Sequence, residues 1–465
     1  MKKSIFTLLA LIISLSSISQ NDTNCEQLLN QLIEKVESEY PGFKEKTKDL
    51  IIYSDFRNRL KIKSQNVNNA DCTALLKYYL SYFRDPHLRL YQTSEVKVQG
   101  ENKENNSNIK VDISLTEFYK HISENKDELE GIWKSSSYKV GIKKINNEYQ
   151  AFIIEANNSN WKANEIKFRL MDNGRANYYM GDHSLREDNY ELIDGSIISF
   201  KNNGVIFIKE LPIPKLSPNE IQFKLDKIKG FYFTKLSNKT SLLCISSFLD
   251  EYVERIEKII LDNQQAIENS ENLIVDVRNN LGGTYDAYDE LLPYIITNNI
   301  RGVGQEFLVT QTLIDGVENW FDDEEGKKKA RSWIKMFEGN IGKFVNIDTA
   351  DVYINKIKIA ERSPKQIVVL VNKRTASSGE AFVLEAKQSK KVKILGVPTY
   401  GAMDYGSGEI FDFGHKNYKL HMPTWRSMRL PDYPIDNIGV QPDIYLDKSI
   451  KDWIQFAVDY LENEK

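Results

Sequence analysis

Residues 366–390 read QIVVLVNKRTASSGEAFVLEAKQSK, and the fold depends on how this stretch is parsed. Ile367 to Val371 is a short, β-branched, wholly apolar run, the pattern of a strand buried in a parallel sheet. Asn372 to Ser378 is a sharp polar turn with small residues at its end. Glu380 to Lys390 reads as a helix, apolar on most sides through Ala386 and charged at its end. A strand, a tight turn and a buried helix in succession can hold one hydroxyl at a helix N-terminus, which is where nucleophilic serines sit. Free N–H groups and the positive end of the helix dipole favour a developing oxyanion at that place. The same residues have a plainer reading. Ser377-x-x-Glu380 is also a capping box, in which the serine caps the helix and the glutamate bonds back.

Working outward, strands and helices alternate from Phe231 to the end of the chain. Ser241 to Phe248 and Leu273 to Val277 read as strands, Asp250 to Glu268 and Ala287 to Ile296 as helices. Trp320 to Phe337 is a charged amphipathic helix, and Val392 to Gly396 a further strand. Such alternation predicts an α/β domain with a largely parallel sheet, here residues 226–465. Upstream, 96–225 has another texture. Runs at Tyr138–Ile142, Tyr149–Glu155, Glu165–Met171, Ala176–Met180, Ser196–Phe200 and Val205–Lys209 are separated by Asn, Gly and Asp turns. They predict a small antiparallel β domain, a barrel or a sandwich, with Trp133, Tyr138 and Trp161 in its core. Residues 96–110 are polar and Asn-rich, a linker or exposed loop, and Pro212, Pro214 and Pro218 mark the domain's other boundary. Residues 20–95 read as helical: Cys25 to Tyr40, about Lys44 to Leu60, and Asp71 (as N-cap) to Phe83. A short strand, Leu88 to Tyr91, follows.

Residues 1–19 carry a basic start, an apolar core from Ile5 to Leu15 and a serine-rich end, the pattern of a signal peptide cleaved near Ser19 or Gln20. The apolar core is too short to span a membrane, and no later segment is apolar for long enough. The expectation is an exported protein with no membrane span after signal removal. A net charge of −4, with lysines scattered among acids, gives no nucleic-acid surface. Of three cysteines, Cys244 lies in the apolar run Leu242 to Ile245 and reads as a buried core thiol. Cys25 and Cys72 stand at expected helix starts in one small domain, so a disulfide and two separate thiols are both open.

Two further stretches bear on chemistry. In Asp276-Val-Arg-Asn-Asn-Leu-Gly-Gly-Thr284 a buried strand runs into an Asn/Gly turn. Gly282 and Gly283 allow positive φ and close approach, so their N–H groups can form half of an oxyanion hole, with Ser378 N–H as the other half. A plain strand-to-helix turn accounts for the same residues. Downstream lie Gly396-Val-Pro-Thr-Tyr-Gly-Ala402 and Ile435-Asp-Asn-Ile-Gly-Val-Gln-Pro-Asp443.

The series DVRNNLGG, TASSGE, GVPTYGA and GVQPDI, in this order and near these separations, resembles the C-terminal processing (tail-specific) serine peptidases, and most closely their tricorn-core and interphotoreceptor-retinoid-binding-protein branch. The resemblance spans about 231–450 and the segment Asp85-Pro86-His87. It implies a ClpP/crotonase-like catalytic domain with no organic cofactor and no metal. The β domain does not look like the PDZ domain many members carry. The resemblance puts the nucleophile at Ser377, with Ser378 the alternative. The processing branch activates its serine with a lysine at the position that here is Ala402, so a Ser–Lys dyad is absent. The tricorn-like branch uses an N-terminal histidine, here His87, and a carboxylate, here Asp436. Pro86 and Asp436 stand where that branch has serine and glutamate. Of the five histidines, His421 competes with His87 for the role of base, while His121, His183 and His415 lie in polar or turn segments. The implied function is an exported serine endopeptidase acting on peptide or protein substrates. The alternative on the same fold is a non-catalytic protein that binds peptides or small apolar ligands.

Overall fold

The computed structural model describes residues 24–92, 110–124, 126–157, 160–348, 350–406, 408–413 and 418–463. The expected signal segment, and 96–109 of the polar linker, lie outside the described residues. The protein is a mixed α/β structure with N-terminal helices, a closed eight-stranded barrel and an α/β domain.

The stretch at 366–390 falls at the centre of the α/β domain. Strand Gln366–Val371 lies between Asn272–Asp276 and Val392–Gly396, parallel to both. Thr240–Ile245 and Ile444–Tyr445 extend the parallel set, and Phe231–Lys235 closes one edge antiparallel. Both faces are covered, which is why the central strands carry no polar alternation. On one face Val369 and Val371 meet Phe382, Ile256 and Ile295. On the other Val368 and Leu370 meet Ala457 and Leu461 of the C-terminal helix Trp453–Glu462. Three parallel strands end side by side, so the turns after Asp276, Val371 and Gly396 meet at one edge. Ligand sites of open α/β sheets lie at that edge.

The β domain is a barrel rather than a sandwich, with strands from Gly131–Lys134 to Ile206–Leu211. Two of its strands, Gly131–Lys134 and Leu185–Ile193, go beyond the six runs read from the sequence. Trp133 and Trp161 are in its core, and Tyr138 packs against them. The proline-marked boundary begins a helix, Pro218–Lys229, with Ser217 and Glu220 as its capping box.

The N-terminal helices are Cys25–Glu39, Phe43–Lys46, Leu50–Ser64 and Asn69–Ser81. The cap of the last is Asn68, whose side chain accepts from Asp71 N–H, and not Asp71 itself. A disulfide joins Cys25 to Cys72. Cys244 is half-buried rather than fully enclosed, and burial pushes its thiol up to about 12. Strand Arg89–Gln92 pairs antiparallel with Tyr418–Met422 of the α/β domain, and Leu88, Leu90, Leu420 and Met422 share one core with the helices.

Candidate active site

Ser377 sits between the strand and the helix Ser378–Ala386, half-buried, with φ 54° and ψ −124°. A non-glycine residue in that region is strained, and such strain collects at functional sites. Packing holds it there. Ala376 N–H donates to Asn280 C=O at 2.9 Å, and Tyr400 N–H to Thr375 C=O at 2.8 Å. Gly282, at φ 93°, leaves no room for a side chain: a Cβ there would stand 2.8 Å from Ser377 Cβ and from Ser378 N. Gly282 therefore allows the 277–284 turn to lie directly on the serine turn, while Gly283 lets it lie against the main chain of Phe248.

The glycine turn also divides the expected oxyanion donors. Gly282 N–H donates to Asn280 Oδ1 at 2.9 Å, so it is already engaged and is not available to an oxyanion. The N–H groups of Gly283 and Ser378 have no hydrogen-bond partner among the described residues. They remain the two donors beside Ser377.

Glu380 is wholly buried and ties the serine turn to the next one. One carboxylate oxygen accepts from Ser377 N–H at 3.0 Å and Ala402 N–H at 2.8 Å. The other accepts from Thr399 Oγ1 at 2.5 Å and Gly401 N–H at 2.7 Å. Burial pushes its acidity weaker, against these four donors. The glutamate half of the expected capping box is thus made, and it does more than cap a helix. Ala402, where the processing branch carries its lysine, is buried and holds Glu380 through its N–H.

The next two residues lead to Asp436. Its Oδ1 accepts from Met403 N–H and Asp404 N–H, each at 2.9 Å. Asp404 returns the bond, with Oδ2 accepting from Ile435 and Asp436 N–H at 2.7 Å. Oδ2 of Asp436 faces Lys46 Nζ at 3.3 Å. The Asp436 side chain is only 6% exposed, and burial, with Asp85 nearby, pushes its carboxyl up to about 6.

His87 comes from the segment after the helices. Asp85, fully enclosed, accepts from His87 N–H at 2.8 Å and from Tyr40 hydroxyl at 2.7 Å. Asp85 thus fixes the main chain of His87. The His87 ring is 3.7 Å from Asp85 at Nδ1, too far for a hydrogen bond. Burial drives the imidazole down to about 4; Asp436 opposes this, while His421 and Arg89 add to it. His421 holds the carbonyl of His87 through Nδ1 at 2.8 Å, so the competing histidine is a support of His87's own segment. The structure thus links Ser377 to Glu380 by a hydrogen bond and, through the 402–404 main chain, to Asp436. His87 lies in the electrostatic field of Asp436, its Nδ1 without a hydrogen-bond partner among the described residues. Lys46, Tyr40 and Asp85 were not singled out for roles in the sequence. Among the described residues no three His, Cys, Asp or Glu side chains are grouped to hold a metal ion.

Residues 239–446 match the family model described as Peptidase family S41, a serine protease family. No curated protein matches the chain in sequence. Among solved structures, mature CPAF aligns with a TM-score of 0.51 at 15% identity, over 95% of this chain and 98% of that chain. CPAF complexed with lactacystin aligns at 0.50 and 14%, over 95% and 97%. At these identities the likeness establishes the fold. The tricorn protease aligns at 0.41 and 12%, over 94% of this chain and 36% of its own, which is too low to add to that.

Proposed function

We propose that this S41-type chain is an exported serine endopeptidase that works through an acyl-enzyme on Ser377, with His87 as base and Asp436 as its carboxylate. The observation that carries the reading is the strained, half-exposed Ser377 at a helix N-terminus, beside two unengaged N–H groups. In this reading the α/β domain is ClpP/crotonase-like and of the tricorn-like branch. Ser377 Oγ attacks the scissile carbonyl as His87 takes its proton. The oxyanion lies against the N–H groups of Gly283 and Ser378. Collapse breaks the C–N bond as His87 passes that proton to the leaving amine. Water then gives its proton to His87, opens the ester, and the proton returns to Ser377. An imidazole pushed down to about 4 is neutral at pH 7 and can accept a proton.

Export is part of the same proposal. It rests on residues 1–19, and the Cys25–Cys72 disulfide supports an oxidising compartment. No helix among the described residues is long and apolar enough to cross a membrane. The test is labelling with a fluorophosphonate. Label on wild type that is lost in Ser377→Ala, with peptide hydrolysis lost alongside it, is the expected result. A folded wild type that neither labels nor hydrolyses would leave a binding protein on this fold.

A further inference from the structure

Three carboxylates crowd together on the carboxylate side of the centre. Asp85, Asp404 and Asp436 are all nearly enclosed, and Asp85 and Asp404 each push Asp436 toward its protonated form. Asp404 has its own cation, Arg429, at 3.5 Å. Asp85 has the Tyr40 hydroxyl and the His87 N–H. Asp436 has two N–H groups on one oxygen and Lys46 on the other. Also facing this cluster are the His87 ring, with His421 beside it, the Tyr405 hydroxyl, on which Glu45 also bears, and Arg89, which bears on Asp85 and His87.

Lys46 is the last residue of the short helix Phe43–Lys46, so it belongs to the N-terminal helices and not to the domain that carries Ser377. Its ammonium lies 5.0 Å over the Tyr405 ring, and its side chain is 17% exposed. Tyr40 packs on the same Tyr405 ring at 5.7 Å. The lysine is thus held by an aromatic face and a carboxylate together, in a place where two like charges stand near each other.

We propose that Lys46 is a positioning residue of the peptidase centre: the charge it brings from the helical domain keeps Asp436 an ionised carboxylate beside His87, so the centre is complete only when that domain is docked. The inference rests on the peptidase reading above. A protonated Asp436 offers no charge to the imidazolium that forms as Ser377 attacks. Removing the ammonium therefore acts on turnover and on pH dependence, with substrate binding little affected.

The test compares Lys46→Gln, Lys46→Met and Lys46→Arg with wild type in peptide hydrolysis from pH 5 to 9, with thermal melts as the check of fold. Gln keeps a hydrogen-bond donor without the charge, so it separates contact from charge. For Lys46→Gln we expect kcat at pH 7 down about tenfold, KM within about twofold, and the acid limb moved up by about one pH unit, so that the loss shrinks at pH 8.5. Lys46→Arg should stay within a few-fold of wild type. A Lys46→Gln profile that overlays wild type would overturn the proposal and leave the peptidase reading in place. If wild type shows no Ser377-dependent hydrolysis, the peptidase reading fails, and Lys46 is still decided by NMR. The His87 ring resonance, assigned by its loss in His87→Gln, reports the nearby protonation of Asp436 as pH is varied. That midpoint should rise in Lys46→Gln and Lys46→Met, and an unmoved midpoint would sink the idea.

Discussion

Glu380 makes four hydrogen bonds through two oxygens, and it is the residue on which the serine turn and the 399–402 turn both depend. Replacing it by alanine leaves four donors without an acceptor, three of them in buried bonds, and each buried one costs about 1–3 kcal/mol before relaxation. We expect Glu380→Ala to lower the stability of the α/β domain by at least about 3 kcal/mol in denaturant melts. Glu380→Gln, which keeps one good acceptor, should lose less. The centre's own titration sets a second expectation. Asp436 is pushed up to about 6 and His87 down to about 4. In the proposed mechanism both act deprotonated, so kcat/KM should fall as pH drops through about 6 and be gone near 4, with no loss on the alkaline side from either group. Asp436→Asn should lower kcat by about 10²–10⁴-fold and remove the upper of the two steps; an acid limb unchanged in that variant would take Asp436 out of the mechanism. Ser377 and Glu380 were legible in the sequence because strand, turn and helix are consecutive. Lys46 was not. Nothing in Gly42-Phe-Lys-Glu-Lys46 signals a carboxylate 390 residues away. Gly282 was misassigned as a donor because a glycine pair marks close approach, but not which N–H is already used.

At the scale of elements, the barrel shows what periodicity can and cannot give. Strand Leu185–Ile193 has the sequence LREDNYELI and fully buries only Asp188, so no apolar inward stripe marks it. Strand Gly131–Lys134 is short and buried at three successive positions, so it has no alternation either. Both exist because neighbours on each side need pairing, and closure of the barrel is not a local property. Inside it, Lys167 is 1% exposed, with Nζ 4.2 Å over the rings of Tyr138 and Trp161, 4.8 Å over Tyr178, and bonded to Tyr179 C=O at 2.5 Å. The aromatic residues are core, as expected from the sequence, and they also cage the protein's own cation. Burial still drives Lys167 down to about 7. Between pH 7 and its unfolded value the unfolded chain therefore binds more protons, and folded stability rises with pH. Lys209, pushed down to about 8, adds the same sign. Urea midpoints taken at pH 7 and pH 9.5 should show this rise, opposed near the upper end by the Cys244 thiol, which burial holds above its unfolded value. Lys167→Met should remove a large part of it, up to roughly 3 kcal/mol. An undiminished slope in that variant would mean the amine is not the titrating group.

At the scale of the whole molecule, His87 and Lys46 reach the α/β domain only through the docking of the N-terminal helices. That docking is tied by the pairing of Arg89–Gln92 with Tyr418–Met422, by one shared apolar core, and by polar contacts that include Lys46–Asp436, Lys35–Thr312 and Thr73–Tyr418. The helices themselves are held by the Cys25–Cys72 disulfide, whose loop encloses the first three of them and closes at Cys72, upstream of His87. With a sequence separation of 47, the cross-link removes loop entropy from the unfolded chain worth about 4 kcal/mol. Small helical units with few buried residues per helix lean heavily on such a tie. Only Tyr53, Leu60 and Ser64 are buried in Leu50–Ser64. The paired variant Cys25→Ser, Cys72→Ser should therefore lose the order of the helical domain first, leaving the six-stranded sheet and the Ser377 turn folded. Hydrogen exchange should show protection lost across 25–92 and in its partner strand Tyr418–Met422, but retained in Gln366–Val371. Peptide hydrolysis should fall by at least about 10²-fold in the same variant, since the proposed base and positioning charge leave together. Retained hydrolysis with the helices unprotected would show that Ser377 draws its base from within the α/β domain, and would remove His87 and Lys46 from the mechanism at one stroke.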